Sequence, residues 1–116
     1  MRATWCREWL PSHKDPNKSV ICVPDRNYPF IAYNFYAQID DNAKYWVTPT
    51  MGVYYDFGKT AFPIQLPTNV DSDGDTTVQL FYPSDTPKVW KVKDLIAMTY
   101  DDDDIQKIWN AWGKPF

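Results

Sequence analysis

The sequence predicts an α+β fold, in which a single small domain carries an antiparallel β-sheet and one or two short C-terminal helices. Two observations predict it. Apolar residues recur with period two between turn residues over positions 20–92, whereas helical spacing is confined to positions 93–112. The length of 116 residues suits one domain. We therefore expect one domain over residues 1–116, opened by a Trp- and Pro-rich segment at 1–19.

The N-terminal segment favours a short helical turn. Trp5 and Trp9 are four residues apart and would share one face of a helix, which Pro11 would end. The apolar run at residues 20–23 then predicts a strand, because Pro24 and Asp25 stop it.

Period-two alternation predicts the remaining strands. Residues 31–39 form the strongest one, with five apolar side chains on one face: Ile31, Tyr33, Phe35, Ala37 and Ile39. Further strands are expected at 45–48, 53–57, 76–82 and 88–92, with a weak edge strand at 62–66.

Helical spacing begins after residue 93. Leu95, Ile96 and Tyr100 suit one short helix. A second helix is expected because four apolar residues recur at i, i+3, i+4 and i+7, namely Ile105, Ile108, Trp109 and Trp112. Gly113 and Pro115 would stop it.

Composition narrows the class of partner. Aromatic residues make up 17% of the chain, and such side chains are favoured anchors of interfaces. The formal charge of −3 argues against duplex DNA, whose binding usually needs a basic patch.

No apolar run approaches the roughly 20 residues of a membrane span, and the N-terminus lacks the apolar segment of a signal peptide. We expect a soluble cytoplasmic protein with no membrane partner.

The two cysteines, Cys6 and Cys22, match neither a metal-binding pattern nor a disulfide framework. Free thiols in a reducing cytoplasm are the expected state, and a single bridge is the alternative.

Two groups of residues are candidates for catalysis or metal binding. The segment Asp71-Ser72-Asp73-Gly74-Asp75 departs from a calcium loop, because its glycine is misplaced and no glutamate follows. A hairpin turn is expected there instead, since Asp-Gly supplies a positive φ. The one histidine, His13, lies in a Pro- and Lys-containing loop where a solvated side chain is expected. The sequence therefore predicts no enzyme, no catalytic residue, no metal and no cofactor.

Candidate partner-binding residues are aromatic or acidic. Trp5, Trp9 and Trp46 are candidate interface anchors. The run Asp101, Asp102, Asp103 and Asp104 either caps the helix that follows or contributes an acidic surface that faces a basic partner. Capping needs only one or two of the four.

A candidate nucleic-acid surface lies at residues 88–93, on the last predicted strand and the lysine that follows it. Base stacking needs aromatic rings interleaved with basic residues, and this segment has that pattern. The residues concerned are Lys88, Trp90, Lys91 and Lys93.

Residues 45–100 resemble the modular region that precedes the catalytic core of phage and intron HNH homing endonucleases. The matching positions are Tyr45, Val47, Thr48, Val53, Asp71, Asp73, Gly74, Val78, Leu80, Val92, Leu95, Ile96 and Ala97. Gly52 is shifted by one place, and Lys93-Asp94 replaces the family's His-Arg pair. Asp101–Asp104 and a helix stand where the catalytic histidines would follow. The resemblance therefore implies a relative that lacks the nuclease.

These observations predict a non-catalytic phage-type accessory protein. It would bind, and inhibit, a host or phage protein that handles nucleic acid, in the host cytoplasm if it is phage-encoded. The alternative is a DNA-binding module that retains the recognition role of the homing endonucleases. A third hypothesis is a metal-dependent hydrolase that uses the Asp clusters.

Overall fold

The computed structural model describes residues 5–17, 20–25, 34–57 and 63–112, with the backbone alone at residue 112. Within these residues, two antiparallel sheets of six and three strands precede two α-helices. The predicted α+β class, with helices near the C-terminus, is confirmed.

The larger sheet is a meander in which each strand pairs with the next one along the chain. Its strands are β1 (Cys6–Pro11), β2 (Val20–Pro24), β3 (Tyr36–Gln38), β4 (Tyr45–Val47), β5 (Val53–Tyr55) and β6 (Ile64–Gln65). The strand predicted at 31–39 is observed as β3 alone, and residues 31–33 lie outside the described residues.

The smaller sheet is a second meander, followed directly by the helices. It contains β7 (Asn69–Val70), β8 (Thr76–Leu80) and β9 (Lys88–Lys91), and the helices are α1 (Val92–Thr99) and α2 (Asp102–Trp112). The predicted hairpin turn between β7 and β8 is confirmed, because Gly74 adopts a φ of 83° and its N–H donates to the Asp71 carbonyl at 3.0 Å. Gly113 and Pro115, the predicted helix stop, lie outside the described residues.

The helical turn predicted around Trp5 and Trp9 is wrong, because residues 6–11 form strand β1. Pairing with β2 decides the conformation: Trp9 lies opposite Cys22, and Leu10 lies opposite Ile21. Spacing of four residues is compatible with a helix, but the backbone hydrogen bonds to a neighbouring strand outweigh that local preference.

Cys6 and Cys22 form a disulfide, so the expectation of free thiols is wrong. The bridge joins β1 to β2 across 16 residues, with the two Cα atoms 5.6 Å apart. This Cα separation lies in the usual range for disulfides. The edge strand is thereby joined covalently to its neighbour in the sheet.

Alternation along the larger sheet separates two buried clusters. Ile21, Ala37 and Val47 face a main core that also receives Val78 and Leu80 from the smaller sheet, and Leu95 and Ile108 from the helices. Their neighbours Cys22, Tyr36 and Trp46 face a second cluster with Trp5. Tyr100 ties the helices to the larger sheet, because its hydroxyl donates to the Val47 carbonyl at 3.0 Å. No helix of the described residues is long and apolar enough to cross a membrane.

Reduction of the disulfide should destabilise the fold. A bridge that closes a loop of this length contributes about 3 kcal/mol, chiefly by restricting the unfolded chain. Urea denaturation of the native protein with and without a phosphine reductant measures the change. The double variant Cys6→Ser/Cys22→Ser is the control, since its stability should match the reduced protein and not respond to reductant. A native protein whose denaturation midpoint ignores reductant would contradict the assignment.

Candidate functional site

A cleft of about 550 Å³ is lined by residues from both sheets. The larger sheet contributes Tyr45 on β4, Tyr55 on β5 and Phe57 just beyond it, while the smaller sheet contributes Gln79 on β8 and Phe81 just after it. A cleft of this size is within the range that takes a ligand or a side chain of a partner.

Aromatic rings form one wall of the cleft. Tyr45 and Tyr55 are register partners across β4 and β5, so their rings meet edge to face with centroids 5.0 Å apart. Phe57 continues the row, with its centroid 4.5 Å from that of Tyr55. The Phe81 N–H donates to the Tyr45 hydroxyl at 3.2 Å, which holds the end of β8 against this row. Phe57 and Phe81 are each 57% exposed, which is unusual for rings of this size.

Carboxylates border the aromatic wall. Asp40 and Asp85 line the cleft together with one lysine, Lys44. The Asp40 Oδ1 accepts the Asn42 N–H at 2.6 Å, which shapes the turn between β3 and β4. The cleft therefore carries a small net negative charge.

A smaller hollow of about 110 Å³ adds two more carboxylates, from Asp15 and Asp41. Tyr82 lines this hollow. Burial raises the pKa of Tyr82, and the negative charges of Asp41 and Asp40 raise it further. The hollow and the cleft thus lie in one acidic region.

The structure brings the three candidate tryptophans together, but mostly inside the protein. Trp46 packs against Trp5 at 5.5 Å and against Trp9 at 5.4 Å between centroids. Trp5 and Trp46 are fully buried, and the Trp5 Nε1 donates to Asp56 at 3.2 Å. Only Trp9 is partly exposed. A direct contact of Trp5 or Trp46 with a partner would require this cluster to open.

The four-aspartate run divides into two helix caps and two exposed side chains. The Asp104 N–H donates to the Asp101 Oδ1 at 2.8 Å, and the Asp101 N–H donates to the Asp104 Oδ2 at 3.3 Å. This reciprocal pair is a capping box at the start of α2, with Asp in the place of the usual Glu. Asp102 and Asp103 are exposed and are the members of the run that a partner could reach.

Asp104 is a buried carboxylate that joins distant parts of the chain. Its Oδ2 accepts the Ser12 hydroxyl at 2.7 Å, and its Oδ1 accepts the His13 N–H at 2.6 Å. Burial acts to raise the pKa of Asp104, but the hydrogen bonds from His13, Ser12, Asp101 and Lys14 outweigh it, so the pKa lies below its ordinary value. Asp104 therefore stays ionised and satisfied, in a structural role.

Lys91 occupies the centre of the acidic turn between β7 and β8. Its Nζ lies 2.8 Å from Asp75, 3.1 Å from Asp73 and 3.7 Å from Asp71. Lys93 adds a contact of 3.2 Å to Asp75. The hydrogen bond from Lys91, followed by the one from Lys93, lowers the pKa of Asp75. The three carboxylates converge as metal ligands could, but a lysine ammonium already lies among them.

These ion pairs weaken the nucleic-acid surface proposed from the sequence. Lys91 and Lys93 are directed to carboxylates, and the third candidate, Lys88, lies with its Nζ 3.8 Å from the centre of the Trp90 ring. The Trp90 indole also donates to the Tyr82 carbonyl at 3.1 Å. The four candidates do lie on one strand and its continuation, yet three carboxylates offset the charge of the two lysines beside them.

His13, Asp101 and Asp103 form a second group in which three potential metal ligands converge. Asp101 in this group already caps α2, and the other two side chains are exposed. The group has no buried donor aimed at a common point, so we assign it no metal.

Comparisons with protein-family models, curated proteins and solved structures return no match to this chain. The resemblance of residues 45–100 to the modular region of HNH homing endonucleases therefore stays a prediction.

Sequence reasoning missed the residues of the cleft. One signal was present: Phe81 follows Gln79 on the face of β8 opposite the buried Val78 and Leu80. A contiguous exposed apolar patch, rather than one exposed side chain, indicates a binding surface, so this signal alone was not sufficient to identify the cleft. The rest of the cleft comes from strands β4 and β5 and from turns, and the positions of these elements relative to one another depend on the whole fold.

Removal of the Asp104 carboxylate should cost about 3 kcal/mol of unfolding free energy, because the donors of Ser12 and His13 would be left buried without an acceptor. Asp104→Ala tests this by chemical denaturation. Asp103→Ala removes the same group from an exposed position of the same helix turn and should change stability by less than about 0.5 kcal/mol. Equal effects of the two substitutions would contradict the structural role.

Asp104 should also make stability depend on pH. Its folded pKa lies below the unfolded value of about 3.9, so its contribution is complete above that value and is lost as the pH falls through the folded pKa. The native protein should lose stability on acidification below about pH 4, and Asp104→Asn should lose less over the same window. Denaturation curves at pH 7, 5, 4 and 3 measure this. Parallel pH profiles of the two proteins would refute it.

Replacement of Lys91 by Met should raise the pKa of Asp75 towards its ordinary value, because the Lys91 hydrogen bond is the largest cause of its depression. Lys93→Met should raise it less. Carboxyl-carbon NMR titration measures both. Lys44→Met, which removes a lysine from the cleft instead, is the control and should leave Asp75 unchanged. An unaltered Asp75 titration in Lys91→Met would show that the ion pair does not form in solution.

Proposed function

We propose that this protein is a non-catalytic accessory protein that binds a protein partner through the cleft between its two sheets. In the form predicted from the sequence, it is phage-encoded, and its partner is a host or phage protein that handles nucleic acid. Binding would inhibit that partner by covering its functional surface.

One observation carries the binding role: two large aromatic rings, Phe57 and Phe81, are mostly exposed at the mouth of a concave site. Interface hot spots are aromatic residues that fill or line such pockets and are bordered by polar groups. The rings of Tyr45 and Tyr55 behind them extend the apolar area, while Asp40 and Asp85 supply the polar border.

A DNA-binding module is the second candidate. Lys88 beside the half-buried Trp90 supports it, because a basic side chain next to an aromatic ring is what a stacking platform uses. The pairing of Lys91 and Lys93 with Asp75 argues against it, since those lysines would have to exchange a carboxylate for a phosphate.

The cytoplasmic location that the sequence predicts is part of this proposal. The Cys6–Cys22 disulfide is an observation against a reducing compartment, because thiols there are kept reduced. Thiol trapping of the protein at the moment of cell lysis would distinguish a reducing compartment from an oxidising one. A cytoplasmic protein should yield free, alkylated Cys6 and Cys22.

The binding proposal can be tested by comparing the native protein with Phe57→Ala/Phe81→Ala. Each would be immobilised and exposed to nuclease-treated host-cell extract, and the recovered proteins would be quantified. A partner should be retained by the native protein, survive nuclease treatment, and bind the double variant at least about tenfold more weakly, as expected for loss of aromatic anchors. Addition of the protein should then lower the activity of that partner on nucleic acid.

The matched control is Asp102→Asn/Asp103→Asn, which changes two exposed side chains away from the cleft. It should retain the partner as the native protein does. If the control loses the partner and the phenylalanine variant keeps it, the cleft is not the binding site. If nucleic acid is recovered instead, and Lys88→Ala/Lys91→Ala abolishes its binding, the DNA-binding alternative replaces the proposal.

A further inference from the structure

We infer that the cleft takes an arginine side chain from a basic segment of the partner. This inference rests on the proposed function, because it names the chemistry of the group that enters the same site. Two independent features support it, the charge of the region and the shape of its apolar wall.

The cleft and the adjoining hollow together carry a net negative charge. Four carboxylates line the cleft and the adjoining hollow, and a single lysine, Lys44, lies among them; the acidic side chains are Asp15, Asp40, Asp41 and Asp85. None of the four forms a salt bridge with a side chain in the described part of the chain. Burial is the main cause of the raised pKa of Tyr82, and the nearby charges of Asp41 and Asp40 raise it further.

Two other acidic groups of the described residues are occupied from within the protein, whereas Asp102 and Asp103 are exposed on α2 and line neither the cleft nor the hollow. Asp71, Asp73 and Asp75 surround the Lys91 ammonium, and the latter two are hydrogen-bonded to it. Asp104 is buried and accepts hydrogen bonds from Ser12, His13 and Asp101. A cation that approaches the cleft therefore meets a concave group of carboxylates that form no salt bridge within the described part of the chain.

The aromatic wall selects arginine among cations. A guanidinium is planar, so it stacks on the face of an aromatic ring while its edge donates to a carboxylate. Phe57 and Phe81 present exposed rings, and Asp40 and Asp85 border them. A lysine ammonium is more strongly hydrated and cannot stack, while an aliphatic side chain would leave the carboxylates without a partner.

The test uses a small probe, N-acetyl-arginine-N-methylamide, titrated into ¹⁵N-labelled native protein. The backbone amides of Lys44, Gln79 and Phe81 should shift together and give one Kd. The citrulline analogue keeps the shape and loses the charge, so it should bind about tenfold more weakly. Equal affinity for citrulline, or shifts centred on residues 71–75 or 102–103, would overturn the inference.

Variants then separate local recognition from overall charge. Asp40→Asn/Asp85→Asn should weaken arginine binding about tenfold, and Asp40→Asn retains the oxygen that accepts the Asn42 N–H. Asp102→Asn/Asp103→Asn removes the same charge elsewhere and should leave the Kd unchanged. Phe81→Leu keeps the apolar volume but removes the ring, and it should also weaken binding. Equal weakening by the two Asp→Asn pairs would mean that only net charge attracts the probe, which refutes a site.

The outcome is separable from that of the proposed function. If a protein partner depends on Phe57 and Phe81 but Asp40→Asn/Asp85→Asn does not alter its affinity, the function holds and the arginine inference fails. If the arginine probe binds at the cleft with the expected variant pattern but no protein partner depends on it, the inference holds and the proposed function fails.

Discussion

The buried carboxylate of Asp104 is the interaction on which the arrangement of the chain most depends. Both sheets are meanders, so most of their backbone pairing joins neighbours in sequence. Asp104 is different, because it binds Ser12 and His13 across about 90 residues and also closes the cap of α2. Two further bonds act beside it: Ser12 to the Thr99 carbonyl, and Lys107 to the Pro11 carbonyl. The edge strand β1 is thereby fixed to the helices as well as to β2.

The cleft follows from this architecture. Two separate sheets leave a seam where their ends meet, and Tyr45 bridges it through its bond with the Phe81 N–H. The main core fills the seam on one side with Val78, Leu80 and Leu95. The turns at 40–44 and 83–85 line the cleft, and their charged side chains would be costly to bury in an apolar core.

Local patterns in the sequence predicted much of the fold, but they predicted little of the cleft. Alternation identified β4, β8 and β9, and the helical spacing of apolar residues from Ile105 to Trp112 identified α2, because those signals are local in the sequence. Strand β1 was missed because its partner β2, not its own sequence, determines its conformation. The four aspartates at 101–104 look equivalent in sequence, and only the distant Ser12 and His13 make Asp104 a buried one. The disulfide was likewise missed, because only the pairing of β1 with β2 brings Cys6 close to Cys22.

The ion pairs around Lys91 have a consequence for the kinetics of association. Opposite charges separated by about 3 Å cancel at distances beyond the Debye length of about 8 Å, so the acidic turn and its two lysines add little to the field seen by an approaching molecule. The long-range potential of the protein is set instead by the carboxylates that have no internal partner. A cationic molecule would be steered towards them once it comes within about one Debye length, and added salt would slow its arrival more than it would hasten its departure.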